Sequence, residues 1–353
     1  MRRFLLNAGL GMTLFLMLSW GLHQWAPVGW AKAELAEKMH IWSQATASKS
    51  YNAVAFGSSH IYRQFSPDIF DSVAQARGIR VSSYNLGAPS TFSPESFTIA
   101  EHVLQESTPE DSLEWMFVEL MEARKGPPRG FPEFWQSPRG SYFMDLSELR
   151  FCSLAALQRT VNWHKRLKGV LFAVKSFIAR TLCLNHHNML SVLLGGERCN
   201  SKMATMLRWH HGWVALDDEL AFTKSKALRR RMESLGQTPL ALPNAIDPQD
   251  IARPVHAEDV QLCRLKRMID LGKAKGVHVI FVAVPGSPQR NLRVLQLGHT
   301  LPKGHFLDIA DPDRHPEFYL HENKFDRGHL NKTGAEQMSA VLARAFVAAI
   351  DNL

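Results

Sequence analysis

Ala53-Val54-Ala55-Phe56-Gly57-Ser58-Ser59-His60 is the stretch whose reading decides the fold. Four apolar residues before a glycine read as a short buried strand, and Ser58-Ser59 as the turn into a helix. A hydroxyl at such a turn stands where an open α/β sheet collects its ligands, beyond the carboxyl ends of the strands. Almost the whole chain away lies Asp326-Arg327-Gly328-His329-Leu330. A serine hydroxyl is a poor nucleophile unaided; an Asp-x-x-His pair supplies a base and a carboxylate to orient it. Each piece alone has an ordinary reading, the first as a helix cap and the second as a surface turn. Found together in one alternating pattern, they point to Ser59 as nucleophile, His329 as base and Asp326 as orienting carboxylate.

Outward from that stretch, strands and helices alternate. Residues 65–78 read as a helix started by Ser66-Pro67-Asp68 and stopped by Gly78. Residues 79–84 read as a second strand running into Asn85-Leu86-Gly87, and 93–106 as a helix with Pro94 in its first turn. Residues 113–120 form a third strand. The pattern resumes with a helix over 256–275 and the run Val277-His278-Val279-Ile280-Phe281-Val282-Ala283-Val284, a central strand buried on both faces. A short strand over 305–309 and a closing helix over 334–353 complete it. This order predicts an α/β fold with a parallel sheet and crossover helices. Residues 33–125 and 240–353 make up that domain, and residues 33–50 form a helical stalk leading into it. Between the halves, 126–239 reads as a mostly helical insertion, with a loop rich in Pro, Gly and aromatics over 126–140 and a proline-rich connector over 239–254.

Residues 1–32 stand apart. Met1-Arg2-Arg3 precedes an uncharged run over 4–22, interrupted only by Asn7, Thr13 and Ser19 among polar side chains. That length suits a transmembrane helix, and the two arginines keep the N-terminus cytoplasmic and send the rest across. Trp20, Trp25 and Trp30 fall where an interfacial aromatic belt lies. Ala31-Lys32-Ala33 has small residues at the positions a signal peptidase reads, but far behind the apolar stretch; an uncleaved signal-anchor is the reading favoured.

The chain has 353 residues, 45% hydrophobic, with a formal net charge of +8. For a domain on the outer side of the membrane, anionic headgroups or an acidic envelope polymer fit that charge; nucleic acid does not, since no recognition motif is present. Four cysteines (Cys152, Cys183, Cys199, Cys263) are too few and too scattered for a disulfide framework or a zinc site. Cys183 and Cys199 are candidates for one bridge around His186 and His187, with free thiols as the alternative. Adjacent histidines diverge on a helix or strand, so neither that pair nor His210-His211 reads as a metal site, and no cofactor motif is visible. Trp115, Trp135, Trp163, Trp209 and Trp213 suit sugar stacking or, by default, the core.

Gly57-Ser58-Ser59, Gly87 after Asn85-Leu86, and Asp326-Arg327-Gly328-His329 resemble three of the four sequence blocks of the SGNH/GDSL hydrolase superfamily. The resemblance covers residues 51–122 and 256–350. It implies a flavodoxin-like three-layer fold, with Ser59 as nucleophile, His329 as base and Asp326 orienting it. The amides of Ser59 and Gly87, with Asn85 beside them, are the expected oxyanion and substrate-binding groups. Ser-Ser in the first block, the N-terminal anchor and the helical insertion look most like the envelope proteins that partner multi-pass membrane O-acyltransferases, of the alginate O-acetylation and teichoic acid D-alanylation type. The implied function is acyl transfer, acetyl above all, onto a polysaccharide hydroxyl at the extracytoplasmic face. A carbohydrate esterase or deacetylase and a non-catalytic scaffold remain as alternatives. The third block departs from the family pattern: Phe117-Val118-Glu119-Leu120-Met121-Glu122-Ala123-Arg124 holds no asparagine to donate to an oxyanion. Glu119 and Glu122 cannot replace it, and Arg124 is either a cationic donor or a loop salt bridge. Losing one such donor costs about a hundredfold or more in rate, which favours a slow transferase over an efficient esterase. Within the insertion, residues 161–182 set His164, Lys165, Arg166, Lys168, Lys175 and Arg180 among apolar residues, a pattern that fits either a membrane surface or packing on the domain.

Overall fold

The structure, a computed structural model, describes residues 1–25, 33–47, 50–91, 93–108, 112–122, 144–159, 162–181, 199–236, 243, 246–286 and 291–350. In chain order its elements are α1 Arg2–Trp25, α2 Ala33–Ala47, β1 Ala53–Phe56, α3 Ser59–Gln64, α4 Pro67–Gln75, β2 Ser83–Asn85, α5 Glu95–Glu106 and β3 Trp115–Glu119. There follow α6 Leu146–Arg159, α7 Trp163–Thr181, α8 Ser201–Trp209, α9 Leu216–Thr223, α10 Lys226–Leu235, α11 Pro248–Ile251 and α12 Val260–Ala274. The chain closes with β4 His278–Ala283, α13 Leu292–Thr300, β5 Phe306–Asp308, 3₁₀ turns at Pro316–Tyr319 and His321–Asn323, and α14 Lys332–Ile350.

The five strands form one sheet in the order β2-β1-β3-β4-β5, every neighbouring pair parallel. β1 sits inside it, Ala53 facing Ser83 on one side and Trp115 on the other, and all four of its residues are buried. That explains why its sequence is continuously apolar and does not alternate. One face carries Ala53, Ala55, Phe117, Ile280 and Val282 against α3, α4 and α14. Phe70 of α4, Phe117 of β3 and Phe346 of α14 meet there edge-to-face or tilted, with centroids 5.2 to 5.6 Å apart. The opposite face packs on α5 and α12, where Phe97 meets Phe281. The α/β class and the parallel sheet are therefore as the sequence predicts.

The second strand is shorter than expected and lies later. Over residues 80–82 the chain is held by the Asn52 side chain, which accepts from Ser82 N (2.7 Å) and donates to Arg80 O (3.2 Å). Those contacts hold the backbone ahead of the ladder, which begins at Ser83. Helix α13 was not anticipated; the Asn291 side chain caps it by accepting from the amides of Arg293 and Val294.

The chain divides into two compact units, Met1–Glu37 with Arg124–Cys199, and Lys38–Ala123 with Asn200–Leu353. The expected insertion over 126–239 is thereby split. Its second half belongs to the α/β unit, because its polar groups are tied there. Trp213 Nε1 donates to Arg63 O (2.9 Å), Asn85 N to His211 O (2.8 Å) and Lys332 N to Asp217 Oδ2 (2.7 Å). In the other unit α6 packs on α7, and α7 on α1. Among the described residues no helix is long and apolar enough to cross a membrane. α1 is nonetheless helical over 24 residues and exposes Phe4, Leu5, Leu6, Leu10 and Met17.

Candidate active site

β1 delivers the chain to Gly57, where the backbone passes so close to its neighbours that an added Cβ would stand 2.5 Å from both Glu119 Oε2 and Ile61 Cγ1. Only glycine fits there. Ser58 then caps α3, its hydroxyl accepting from His60 N (3.1 Å), and Ser59 becomes the first helical residue, half-buried. Its amide is one of those for which a helix has no internal acceptor.

The base arrives from the segment between the last 3₁₀ turn and α14. Asp326 Oδ1 accepts from the amides of Gly328 (2.7 Å) and His329 (2.9 Å), a side-chain turn that folds Asp-Arg-Gly-His back on itself. Phe325 N donates to His329 O (3.0 Å), and Lys324 bridges to Leu330. This closed loop aims both functional side chains at β1. His329 Nδ1 lies 2.9 Å from Asp326 Oδ1 and 3.2 Å from Oδ2; its Nε2 lies 2.8 Å from Ser59 Oγ. With the Nδ1 proton donated to the carboxylate, Nε2 is left to accept from the serine hydroxyl. The three residues singled out from sequence are thus brought into one hydrogen-bonded chain across 270 positions.

Burial alone would raise the Asp326 carboxyl. The His329 hydrogen bond and charge, the Gly328 amide and the Arg231 cation outweigh it and hold the carboxyl well below the usual carboxylate range. His329 is lowered by burial, with the Asp326 hydrogen bond acting against that shift and the charges of His60 and Arg231 adding to it. The base is therefore neutral, and able to take a proton, at neutral pH.

Two supporting groups were not foreseen. Glu119, at the end of β3, is a buried carboxylate that accepts from Ser58 N (2.6 Å), Ser58 Oγ (3.1 Å) and His60 Nδ1 (3.0 Å). Burial pushes it up, but His60 and the Ser58 groups together bring it below its ordinary value. It cannot donate to an oxyanion; it clamps the residues on either side of the nucleophile. The clamped His60 ring lies 5.3 Å from that of His329. The second group is Arg231 of α10, whose guanidinium pairs with Asp326 Oδ2 and stands 3.1 Å from His329 Nδ1.

Gly87 and Asn85, expected beside the Ser59 amide at the oxyanion, are placed otherwise. Asn85 is fully buried; its Nδ2 donates to Ile61 O (2.8 Å) and Phe65 O (2.7 Å), and its Oδ1 accepts from Gly87 N (2.9 Å). Lys38 Nζ, also buried, donates to Gly87 O (2.6 Å). The Gly87 amide is thus committed to Asn85, and the pair braces the C-terminal part of α3 rather than presenting a donor. Asn85-Leu86-Gly87 carried that signal, since an asparagine bonding two residues on is a common turn. Arg124 lies outside the described residues.

Away from the site, His211 Nδ1 meets Tyr51 OH (2.8 Å), and His211 Nε2 and His210 Nδ1 face Asp68 at 3.4 and 3.7 Å. Among the described residues no group of three or more His, Cys, Asp or Glu is placed to hold a metal. Of the two readings of Cys199, bridged or free, the structure has the free thiol, pushed up to about 11 by burial and by the Glu34 and Glu37 carboxylates; Cys183, His186 and His187 lie outside the described residues. Trp213 is core, Trp115 stacks on His278, Trp163 and Trp209 are exposed, and Trp135 lies outside the described residues. Along α7, Trp163, Leu167, Leu171 and Ile178 are exposed beside Lys165, Lys168 and Lys175.

Comparison of the chain with protein-family models, curated proteins and solved structures finds no match. Fold and geometry define it as an α/β protein with a serine–histidine–aspartate chain at the carboxyl edge of a parallel sheet.

Proposed function

We propose that this protein is an SGNH-type serine acyltransferase. The observation that carries the reading is the 2.8 Å contact of Ser59 Oγ with His329 Nε2, backed by the 2.9 Å contact of His329 Nδ1 with Asp326. Ser59 Oγ attacks the donor's carbonyl carbon as His329 takes the hydroxyl proton, and Asp326 stabilises the imidazolium. The tetrahedral oxyanion is held by the Ser59 amide. Collapse breaks the bond to the leaving group, which takes the proton from His329 and leaves an acyl ester on Ser59. His329 then deprotonates an acceptor hydroxyl, which attacks that ester; the acyl–Oγ bond breaks and Ser59 Oγ takes the proton back from His329.

The acceptor is a hydroxyl of an envelope or exported polysaccharide, and the acyl group, acetyl in the first instance, comes from a multi-pass membrane O-acyltransferase. Commitment of the Gly87 amide to Asn85, with no asparagine after β3, supports a slow transferase fed by a partner over an efficient hydrolase. The uncharged exposed face of α1 behind Arg2 and Arg3 supports attachment to the cytoplasmic membrane with the α/β unit outside. Water as acceptor makes the same residues an esterase; a scaffold leaves Ser59 inert.

The test is mass spectrometry of the full chain in detergent after exposure to a fluorophosphonate. An adduct on Ser59, reduced about a thousandfold or more in rate by His329→Ala, is expected. A folded protein that stays unlabelled overturns the reading. Ester product formed only with a polysaccharide acceptor present separates transfer from hydrolysis.

A further inference from the structure

We propose that Arg231 is a positioning residue that sets the basicity of His329 through Asp326. The inference rests on Ser59 being the activated nucleophile. Asp326 Oδ1 and Arg231 Nη2 stand 2.9 and 3.1 Å from the same nitrogen, His329 Nδ1. A guanidinium has only donors, so the proton on Nδ1 goes to the carboxylate. The arginine bonds Asp326 Oδ2 instead, which places a fixed positive charge beside the ring that must become positive in the transition state. The carboxylate that would favour the imidazolium is thereby partly neutralised. Besides Asp326 and Arg231, the charged group facing His329 is His60 on α3; Lys324, on the same loop as His329, acts on Asp326, and Glu119 of β3 is engaged by His60 and Ser58. Two of these, His60 and Arg231, oppose a proton on His329, and Asp326 favours it.

Arg231 is not the only tie that holds its own helix in place. Leu228 of α10 is buried with Leu216 of α9 and Phe325, the residue before Asp326. That apolar contact docks α10 on the catalytic loop, and Leu235 buries the end of the helix. The arginine side chain is itself 44% exposed. Its charge is therefore removable without opening the core.

Removing the charge makes His329 a stronger base, with two opposed consequences for the rate. At low pH more of the histidine is protonated and inactive; at high pH the neutral form takes the serine proton more readily. A unit charge about 4 Å away, on a side chain open to solvent and so partly screened, shifts the acid limb upward by about one pH unit. A base stronger by that amount raises the plateau by a factor of about three. The two profiles must cross.

The experiment measures fluorophosphonate labelling of Ser59 in the full chain between about pH 5 and pH 9, for the wild type, Arg231→Gln and Arg231→Lys. Arg231→Gln is expected about threefold slower than wild type at the acid end and about threefold faster at the alkaline end. Arg231→Lys, which keeps the charge, is expected to recover most of the shift. A glutamine curve that is slower at every pH, faster at every pH or unchanged overturns the proposal. Arg231→Met gives the same readout should the glutamine variant fail to fold. A wild type that does not label at all refutes the nucleophile instead, so the two failures are distinguishable.

Discussion

Glu119→Ala is the perturbation whose cost the structure sets most directly. The carboxylate is buried and accepts three hydrogen bonds, two of them from Ser58, which is itself only 3% exposed. Truncation leaves the Ser58 amide and hydroxyl without their acceptor in a place water does not reach. Each such orphan costs about 1–3 kcal/mol, so the pair costs about 2–6 kcal/mol. His60 is a quarter exposed and recovers a partner from water. That loss is a large part of the ~5–15 kcal/mol that stabilises a typical domain. Glu119→Gln keeps an oxygen for the Ser58 amide and lets the Ser58 hydroxyl turn to accept from its NH₂ group, for a cost of about 1–2 kcal/mol. Because the folded-state carboxyl is held below its ordinary value of 4.5, its stabilisation is complete above that pH and is lost as pH falls through the lower folded value. The gap between wild type and Glu119→Gln therefore closes on acidification. Urea unfolding of the full chain, followed by tryptophan fluorescence between about pH 7 and pH 3, measures both. An alanine variant that loses less than about 1 kcal/mol, or a pH-independent gap to the glutamine variant, would refute the clamp.

Two further substitutions probe the frame around the site. Burial, with the nearby Asp68 charge adding to it and the Ser83 hydrogen bonds opposing it, raises the Asp71 carboxyl from 3.8 to about 6. The folded state binds this proton more tightly than the unfolded one, so its ionisation at neutral pH costs stability that returns as pH falls through about 6. Asp71→Asn is expected to raise stability by about 1–2 kcal/mol at pH 7 and to change little near pH 4, as thermal melts at the two pH values would record. At Gly87 an added Cβ would stand 2.5 Å from the Tyr62 backbone nitrogen and 2.9 Å from Ile61 Cγ2. Gly87→Ala must therefore push α3, and is expected to lower stability by about 2–3 kcal/mol and slow Ser59 labelling, whereas a variant that melts with the wild type would show that α3 yields.

What the sequence discloses about this site and what it hides follow one division. Ser59, Asp326 and His329 are legible because each sits in a local device with its own signature: a glycine-led exit from an apolar strand, and an aspartate that turns the backbone two and three residues on. The alternation of strands and helices is legible for the same reason, since burial on both faces writes continuous apolar runs. Glu119 is different. Its chemistry rules it out as an oxyanion donor, yet its role as an acceptor depends on β3 lying beside β1 in a register that pairs Phe56 with Val118, which no local pattern encodes. Arg231 is harder still. It is one of three consecutive arginines on a helix whose buried positions are Leu228 and Leu235, so the pattern reads as a solvated basic face. Only the docking of Leu228 on Phe325 brings one of the three to the catalytic carboxylate. The same non-local contacts draw residues 200–235 into the α/β unit, against a reading that grouped them by helical composition with the residues before them. The identities of the reacting groups are thus written locally, while the charges that set their strength are supplied from strands and helices distant in the chain. A variant that leaves all three reacting residues intact can therefore still change how the base behaves, and the crossing pH profiles expected for Arg231→Gln are where that separation becomes measurable.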